Sequence, residues 1–347
     1  MRRTTRAAVL SCAGVLALTV AGQALAAYSP TFAIKNGVGT TTIAYQQAPT
    51  DDPTAKLTFY VPSGYGMNLS ATAGTKIGTV DAKATAVDLG GATLPLTGAV
   101  EVRATTGTYV SGGVQVPLAA AATICTGTAS HSAYWVLVLT AAGQTLEVPL
   151  LVDLVPSVSP LAAVASATLT ICLPPPDVPS GTPGRATFGA SVVMASFTVK
   201  GVFYAPSAEY RWRLIATPYL PRVGRANAAG TVEAQSTVRI PEQVTARASG
   251  GTVTGQVTEG GDGVSGALVQ ILAGKQVLGQ ATTDASGNYT ATVKPSAPTS
   301  VRARVTVADR TATCESTPIF AALGIRTCAT ATIGGFTRES KPVRIHP

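Results

Sequence analysis

Residues 282–293, TTDASGNYTATV, place three side chains with polar oxygen atoms within five positions. Asp284, Ser286 and Asn288 have the chemistry of a small metal site, or of a reactive serine beside a carboxylate. Calcium takes roughly six to eight oxygen ligands, with several carboxylates among them, and only the distant Glu259 and Asp262 could assist Asp284. Ser286 has no nearby base to activate it, so neither chemistry is favoured.

The same residues suit a tight corner between two strands. An Asp side chain accepts hydrogen bonds from backbone N–H groups two residues further along, which makes an Asx turn. Gly287 supplies the positive φ that such a corner needs, and Tyr289 then begins the next strand. We therefore predict that Asp284, Ser286 and Asn288 form a turn, without metal or catalysis.

The small number of histidines limits the reactions that this chain could catalyse. Hydrolases working near neutral pH usually need a general base, most often His, and the sequence contains only His131 and His346. The G-x-S-x-G, H-E-x-x-H and glycine-rich phosphate-loop motifs are absent from the sequence. The sequence therefore predicts no catalytic residue, no metal ligand and no cofactor. A cryptic hydrolase, in which His131 meets a distant Ser and Asp, stays open as an alternative.

Three tyrosines lie in loop-like segments and are candidates for ligand contact. They occur in PSGYG, GTYVSGG and TPYLP as Tyr65, Tyr109 and Tyr219. An exposed aromatic ring can stack on a sugar through apolar contact, so these residues are the tentative contacts of a carbohydrate-binding protein. Trp135 and Trp212 lie in strand-like segments and are expected in the core.

The cysteines predict disulfide bonds in an oxidising compartment. Cys12 belongs to the N-terminal leader discussed below, so an even number remains, which in an exported chain indicates disulfides. Of the three possible connectivities we favour the local one, Cys125–Cys172 with Cys314–Cys328. Cys125 and Cys172 each end a TIC triplet, as two adjacent strand ends would. Because no C-x-x-C spacing occurs, zinc is disfavoured.

Residues 1–27 have the features of a secretory signal peptide. Arg2, Arg3 and Arg6 precede an apolar run that ends in small residues near Ala26, the pattern of a cleaved leader. We expect the mature chain to be secreted or extracellular, with cell-wall association open and no integral membrane segment.

Charge narrows the range of partners. The formal net charge is +8, and charged residues make up only 12% of the chain. The positive excess lies diffusely in the C-terminal third, whereas nucleic-acid binding favours a clustered basic stripe. We therefore expect no nucleic acid as partner, and instead a wall or extracellular polysaccharide or another surface protein.

Short alternating segments rich in β-branched residues run along most of the chain and are separated by Gly/Pro-rich turns. This spacing predicts an all-β fold of tandem antiparallel β-sandwiches, Ig-like or transthyretin-like, after the leader. The boundary lies near Pro241, which divides an N-terminal sandwich, residues 28–236, from a C-terminal one, residues 240–347. No segment has the capped, amphipathic pattern of a helix. The clearest strand-like segments are AKLTFYV, YWVLVL, ASFTVKGVFY, YRWRLIA, GTVTGQVT and SVRARVTVA.

Residues 251–295 carry one recognisable combination of motifs. Gly255-Gln256-Val257, Gly266-Ala267-Leu268-Val269 and Thr283–Tyr289 match the patterns G-x-V, G-A-x-V and T-D-x-x-G-x-Y. In these motifs the segment resembles the carboxypeptidase-regulatory-like domain, a transthyretin-like β-sandwich of bacterial secreted and surface proteins. The resemblance implies a fold and indicates almost nothing about activity.

Three functions therefore stay open from the sequence. The first is a secreted, non-catalytic β-sandwich protein of the envelope or extracellular space with a structural or adhesive role. The second is a carbohydrate-binding protein that recognises wall or extracellular polysaccharide. The third is the cryptic hydrolase. A cluster of exposed tyrosines would favour the second, and convergence of His131 with Ser and Asp would favour the third.

Overall fold

The computed structural model describes residues 28–141, 143–322, 324–325 and 327–347. The predicted signal peptide, residues 1–27, lies outside the described residues. The first two thirds of the chain carry fifteen strands within the described residues: β1 (Thr31–Gly37), β2 (Thr40–Gln46), β3 (Thr54–Pro62), β4 (Gly66–Met67), β5 (Lys76–Ala86), β6 (Ala92–Arg103), β7 (Thr108–Ser111), β8 (Val114–Pro117), β9 (Ala133–Ala141), β10 (Gln144–Leu154), β11 (Ala165–Cys172), β12 (Ala190–Lys200), β13 (Phe203–Tyr204), β14 (Glu209–Pro218) and β15 (Val232–Arg239).

The C-terminal part continues with shorter strands, and two α-helices interrupt the chain. Helix α1 spans Leu118–Thr126 and helix α2 spans Pro318–Ala322. The remaining strands are β16 (Glu242–Val244), β17 (Arg247–Ser249), β18 (Thr252–Glu259), β19 (Asp262–Gly263), β20 (Leu268–Ala273), β21 (Gln276–Thr282), β22 (Asn288–Thr292), β23 (Thr299–Val307), β24 (Arg310–Thr311), β25 (Cys328–Ile333), β26 (Phe336–Glu339) and β27 (Val343–Ile345).

Eleven of the strands β1 to β15 form one long antiparallel sheet that folds over on itself, while β4 pairs with β13 and β7 pairs with β8 in two small sheets. Its strand order is β1-β2-β12-β5-β6-β9-β10-β11-β3-β14-β15. Strand β3 is far from β1 and β12 in this order, yet its phenylalanine contacts those of both strands. The ring centroids of Phe32 and Phe59 lie 5.7 Å apart, and those of Phe59 and Phe197 lie 5.9 Å apart. Two layers of the sheet therefore enclose one core, as in a sandwich.

Alternation of side chains explains this layer structure. Along β3 the residues Leu57, Phe59 and Val61 are buried, while Lys56, Thr58 and Tyr60 between them are more accessible. Successive side chains of a strand point to opposite faces, so an alternating segment buries one face only. The predicted all-β fold of antiparallel sandwiches is confirmed.

The residues after β15 enclose a second, smaller core. It contains Val253 and Val257 of β18, Val269 and Ile271 of β20, and further apolar side chains from β22 and β23. Strand β18 pairs with β16, β17, β19 and β22, while β20 pairs with β21 and β23. These two groups of strands face each other as a second sandwich.

Helix α1 differs from the sequence expectation. The pattern at residues 122–125 predicts a strand end, but Ala122 and Cys125 lie in the helix. The helix begins after Pro117, and its alanines favour helical backbone. Leu118 and Ala122 pack against Tyr134 and nearby side chains of β9 and β10, covering the outer face of the sheet. This tertiary contact outweighs the β-branched Thr and Ile in the segment.

Strand β25 crosses from the C-terminal unit to the N-terminal sheet. It runs parallel to β15, with Gln235 opposite Ala331 and Ser236 opposite Thr332, and β24 pairs along its other edge. A second parallel pairing joins β26 to β1 at Asn36 and Phe336, and β26 also runs antiparallel to β23 of the C-terminal unit. Strand β25 therefore extends the N-terminal sheet, while β26 links the two sandwiches. Residues from the C-terminal side of the predicted division near residue 240 thus pair with N-terminal strands.

Candidate functional site

The Asp284 corner is a turn held by backbone hydrogen bonds. The N–H groups of Ser286 and Asn288 donate to Asp284 Oδ1 over 2.8 and 2.9 Å, and these bonds lower the pKa of the Asp284 carboxyl. Gly287 has φ +78°, and a Cβ there would lie 2.3 Å from Val257 O. The expected corner is confirmed. No three His, Cys, Asp or Glu side chains of the described residues converge as metal ligands would.

His131 forms a contact with Asp153 and Thr126 that superficially resembles a hydrolase triad. Its Nδ1 lies 2.8 Å from Asp153 Oδ2, and its Nε2 lies 3.1 Å from Thr126 Oγ1. Nε2 also lies 3.2 Å from the carbonyl oxygen of Thr128, which can only accept. The Thr126 hydroxyl donates to Ala122 O over 2.9 Å.

Both ring nitrogens of His131 therefore already have hydrogen-bond partners within the fold. The His131 side chain is only 1% exposed, so solvent and substrate do not reach it. A general base needs a free nitrogen directed at a reactive hydroxyl. In this arrangement His131 ties the loop after α1 to β10, and it is not placed to activate Thr126.

The three candidate tyrosines do not form a shared platform. Tyr65 is buried, its ring centroid 4.7 Å from that of Tyr210, and burial raises its pKa to about 12. Tyr219 is also buried, and its hydroxyl donates to Leu173 O over 2.5 Å. Tyr109 on β7 is half-buried and packs against the side chains beneath α1. The rings of Tyr65 and Tyr219 therefore cannot stack on a sugar, because residues from other parts of the fold cover these loops.

Tyr204 is an exposed aromatic that sequence reasoning missed. It ends the strand-like segment ASFTVKGVFY, where alternation gives no sign of exposure, yet it is 63% exposed. Strand β13 pairs with β4, which places Tyr204 opposite Gly66. A Cβ at Gly66 would lie 2.0 Å from the Tyr204 ring, so the ring rests on the bare backbone of Gly66.

Both predicted disulfides are present. Cys125 at the end of α1 bonds Cys172 at the end of β11, and Cys314 bonds Cys328 at the start of β25. The first pairing is confirmed although its strand-to-strand reasoning is wrong, since Cys125 lies in a helix. The second closes a loop that carries α2 back to the N-terminal sheet.

A buried ion pair and its hydrogen bonds join the two sandwiches where β1, β16 and β26 meet. Glu242 Oε2 accepts from Arg338 Nη2 over 2.7 Å, and its Oε1 accepts from Asn36 Nδ2 over 3.1 Å. Arg338 Nη1 donates to the carbonyl oxygen of Asn36 over 3.0 Å. Burial raises the pKa of Glu242, while Arg338 opposes that shift. We call Asn36, Glu242 and Arg338 the joint cluster.

Hydroxyl groups from β15 and β25 satisfy the free edge of β1. Thr330 Oγ1 and Thr332 Oγ1 each donate over 2.7 Å, to the carbonyl oxygens of Pro30 and Phe32 respectively. Ser236 Oγ accepts from the N–H of Ile34 over 2.9 Å. An open strand edge would otherwise expose unpaired backbone groups, so β25 also closes the N-terminal sandwich.

A second polar network fixes the disulfide loop on the N-terminal sheet. Glu233 Oε1 accepts from Gln235 Nε2 over 2.9 Å and lies 3.3 Å from Arg213 Nε. Gln235 in turn exchanges hydrogen bonds with the backbone of Glu315 in the loop. Phe320 of α2 is buried against the Tyr60 ring, 4.8 Å between centroids. Burial raises the pKa of Glu233.

A cleft opens at one end of the N-terminal sandwich, beside β4 and β13. Its volume is about 290 Å³, and it lies between the loop that follows β4 and the residues that follow β12. The loop is pinned because Asn68 N donates to Val202 O, and Gly74 N to Val102 O, each over 2.8 Å. The lining residues are Asn68, Leu69, Ser70, Ala71, Thr75, Lys76, Ile77, Val102, Trp135, Lys200, Gly201 and Val202.

Comparison with known proteins adds little to this geometry. No protein-family model and no curated protein matches the chain. One similar solved structure is the T6 backbone pilin of serotype M6 Streptococcus pyogenes, with 8% identity and a TM-score of 0.25. The alignment covers 84% of this chain and 55% of the pilin, so the chain spans about half the length of that neighbour.

A second similar structure is the BSP domain of a biofilm associated protein. It has 8% identity and a TM-score of 0.21, and the alignment covers 94% of this chain and 68% of that domain. TM-scores this low support no conclusion about fold or function, so the architecture rests on the strand pairing described above. Within the described ranges, no helix is long and apolar enough to cross a bilayer.

Proposed function

We propose that this chain is a secreted, non-catalytic β-sandwich protein of the cell envelope or extracellular space, with a structural or adhesive role. The observation that carries the proposal is the union of the two sandwiches through β26, which pairs with β1 and β23, and through the joint cluster. A buried ion pair and a strand paired on both sides replace the flexible linker that usually separates domains. Such a body holds its two ends in a fixed orientation, which is what a structural element requires.

The disulfides support the extracellular part of the proposal. Disulfide bonds persist in oxidising compartments and are rare in the reducing cytosol. Together with the leader at residues 1–27, they favour export. The corner at Asp284 and the paired strands around it favour a carboxypeptidase-regulatory-like sandwich for residues 251–295. Wall polysaccharide or another surface protein is the partner that we propose.

The arrangement of His131 supports the non-catalytic part. A hydrolase would need that ring open to a substrate, whereas it is enclosed by acceptors. The cryptic-hydrolase alternative therefore has no specific observation in its favour among the described residues.

Cell fractionation and unfolding test the structural proposal together. We expect the protein in the extracellular or envelope fraction, with its disulfides formed. We also expect one cooperative unfolding transition in urea, followed by both fluorescence and circular dichroism, because β26 and the joint cluster connect the two cores. A reduced cytosolic protein, or two well-separated transitions, would contradict the proposal.

Carbohydrate binding is the second candidate, and Tyr204 with the neighbouring cleft favours it. Strands β4 and β13 lead directly into the two walls of the cleft, so the exposed ring of Tyr204 lies next to it along the chain. A glycan array should then show binding that Tyr204→Ala weakens, while Tyr109→Ala on β7 leaves it unchanged. Equal loss in both variants would count against this site.

A further inference from the structure

Two lysines, Lys76 and Lys200, line the cleft without a carboxylate partner. The last residues that pair between β5 and β12 are Gly78 and Val199, so Lys76 at the start of β5 and Lys200 at the end of β12 lie at the same end of neighbouring strands. Both side chains are exposed. The cleft therefore carries two positive charges.

The nearest candidate carboxylate is already engaged. Glu101 of β6 lies opposite Lys76 in the register, but its Oε1 forms a salt bridge with Arg103 Nε over 3.0 Å. The residues that line the cleft include no Asp or Glu. Within the described part of the chain, neither Lys76 nor Lys200 has a carboxylate within 4.0 Å. The positive charge at the cleft is therefore uncompensated.

The rest of the lining suits a sugar more than a bare ion. Trp135 and Val202 are buried and form apolar wall, together with Leu69 and Ile77. Apolar and aromatic surface packs against the C–H faces of a sugar ring, and a few polar groups fix its orientation. Ser70 and the other polar lining residues, Asn68 and Thr75, supply hydroxyl and amide groups. The volume of about 290 Å³ is near the lower limit of small-ligand pockets.

We propose that this cleft binds an anionic sugar unit of a polysaccharide, with Lys76 and Lys200 on either side of its carboxylate or phosphate group. The inference rests on the carbohydrate-binding candidate above and adds the charge class of the ligand. The shared chemistry is an anionic group on a sugar or polyol. A uronic-acid polymer and a phosphodiester-linked polyol polymer are its two sources.

Titration of the purified chain with three oligomers of matched length tests the inference. The probes are an oligogalacturonate, an oligo(glycerol phosphate) and a neutral galactose oligomer. We expect one anionic oligomer to change the fluorescence of Trp135, which lines the cleft, whereas Trp212 is enclosed in the core. The affinity of the protein for that oligomer should fall at least threefold when the salt concentration rises from 50 to 500 mM, because salt screens exposed charges.

Variants then localise the binding. The double substitution Lys76→Gln with Lys200→Gln should lower the affinity for the anionic oligomer at least tenfold, which corresponds to about 1.4 kcal/mol of binding free energy. The control is Lys275→Gln with Lys294→Gln, which removes the same charge from exposed positions of the C-terminal unit. An unchanged melting temperature in both double variants shows that they fold.

The possible outcomes separate the two proposals. Equal weakening in both double variants would show a general charge effect and overturn the inference. If the neutral oligomer binds as tightly as the anionic ones, and Tyr204→Ala abolishes that binding, the ligand does not need to be anionic. The inference is then overturned, while the carbohydrate-binding candidate is supported. If none of the three oligomers binds, the inference is overturned. The structural proposal is tested separately, by the unfolding experiment.

Discussion

Replacement of Glu242 by Ala is the most direct perturbation of the joint cluster. The Glu242 and Arg338 side chains are only 4% and 18% exposed, so truncation of one leaves the other charge buried and unpaired. Breaking a buried pair in this way costs about 3–5 kcal/mol. Arg338 keeps two carbonyl acceptors, those of Asn36 and Thr337, so we expect Glu242→Ala to lower the free energy of unfolding by about 2–3 kcal/mol.

Urea denaturation of four proteins measures this effect as a double-mutant cycle. The proteins are the wild type, Glu242→Ala, Arg338→Met and the double variant. Because the two side chains touch, we expect a coupling energy of about 1–3 kcal/mol. The double variant should then be more stable than the sum of the single losses predicts, since it buries no unpaired charge.

A second ion pair of the same unit provides the control. Arg302 and Glu339 lie 3.6 Å apart with side chains 56% and 42% exposed, and an exposed pair contributes about 0–1 kcal/mol. Glu339→Ala should therefore change stability by less than about 1 kcal/mol. If Glu242→Ala costs no more than Glu339→Ala, or the coupling energy is close to zero, the joint cluster does not hold the two sandwiches together.

Three further predictions concern other parts of the chain. Removal of the Cys314–Cys328 disulfide, whose loop has a sequence separation of 14, should cost about 3 kcal/mol by the chain-entropy model; an unchanged melting temperature would contradict a role for that loop in closing the N-terminal sheet. Gly287→Ala should cost more than about 2 kcal/mol, since a positive φ costs about 1–2 kcal/mol for Ala and its Cβ would also meet the backbone at Val257. The control Gly274→Ala has φ +59° with nothing within 4 Å of the Cβ, so equal losses in urea denaturation would refute the steric contribution. Burial raises the pKa of Glu233 above 4.5, so its contribution to stability is fully present below about pH 4.5 and is lost as pH rises through the folded-state pKa. Relative to Glu233→Gln, the wild type should become less stable as pH rises from 4 towards 7, and a pH-independent difference between the two would refute the shift.

Features that depend on neighbouring residues were predictable from the sequence. The strands of the two sandwiches follow from alternation, because successive side chains face opposite sides of any strand. The Asp284 corner follows from a carboxylate two and four residues before the N–H groups that it binds, with Gly287 between them. The Cys314–Cys328 pair follows from proximity in the chain.

Features that depend on distant segments were decided only by the tertiary structure. Strand β25 pairs with β15 because the disulfide loop docks on the N-terminal sheet, and no local pattern encodes that partner. Tyr65 is buried and Tyr204 is exposed although both lie beside turns, since exposure depends on what the rest of the chain packs over each ring. The cleft depends on the pairing of β5 with β12, which places Lys76 and Lys200 at the same end of neighbouring strands although more than a hundred residues of sequence separate them. A residue's neighbours in sequence set its backbone preference, whereas its partners in space are set by the packing of the whole chain.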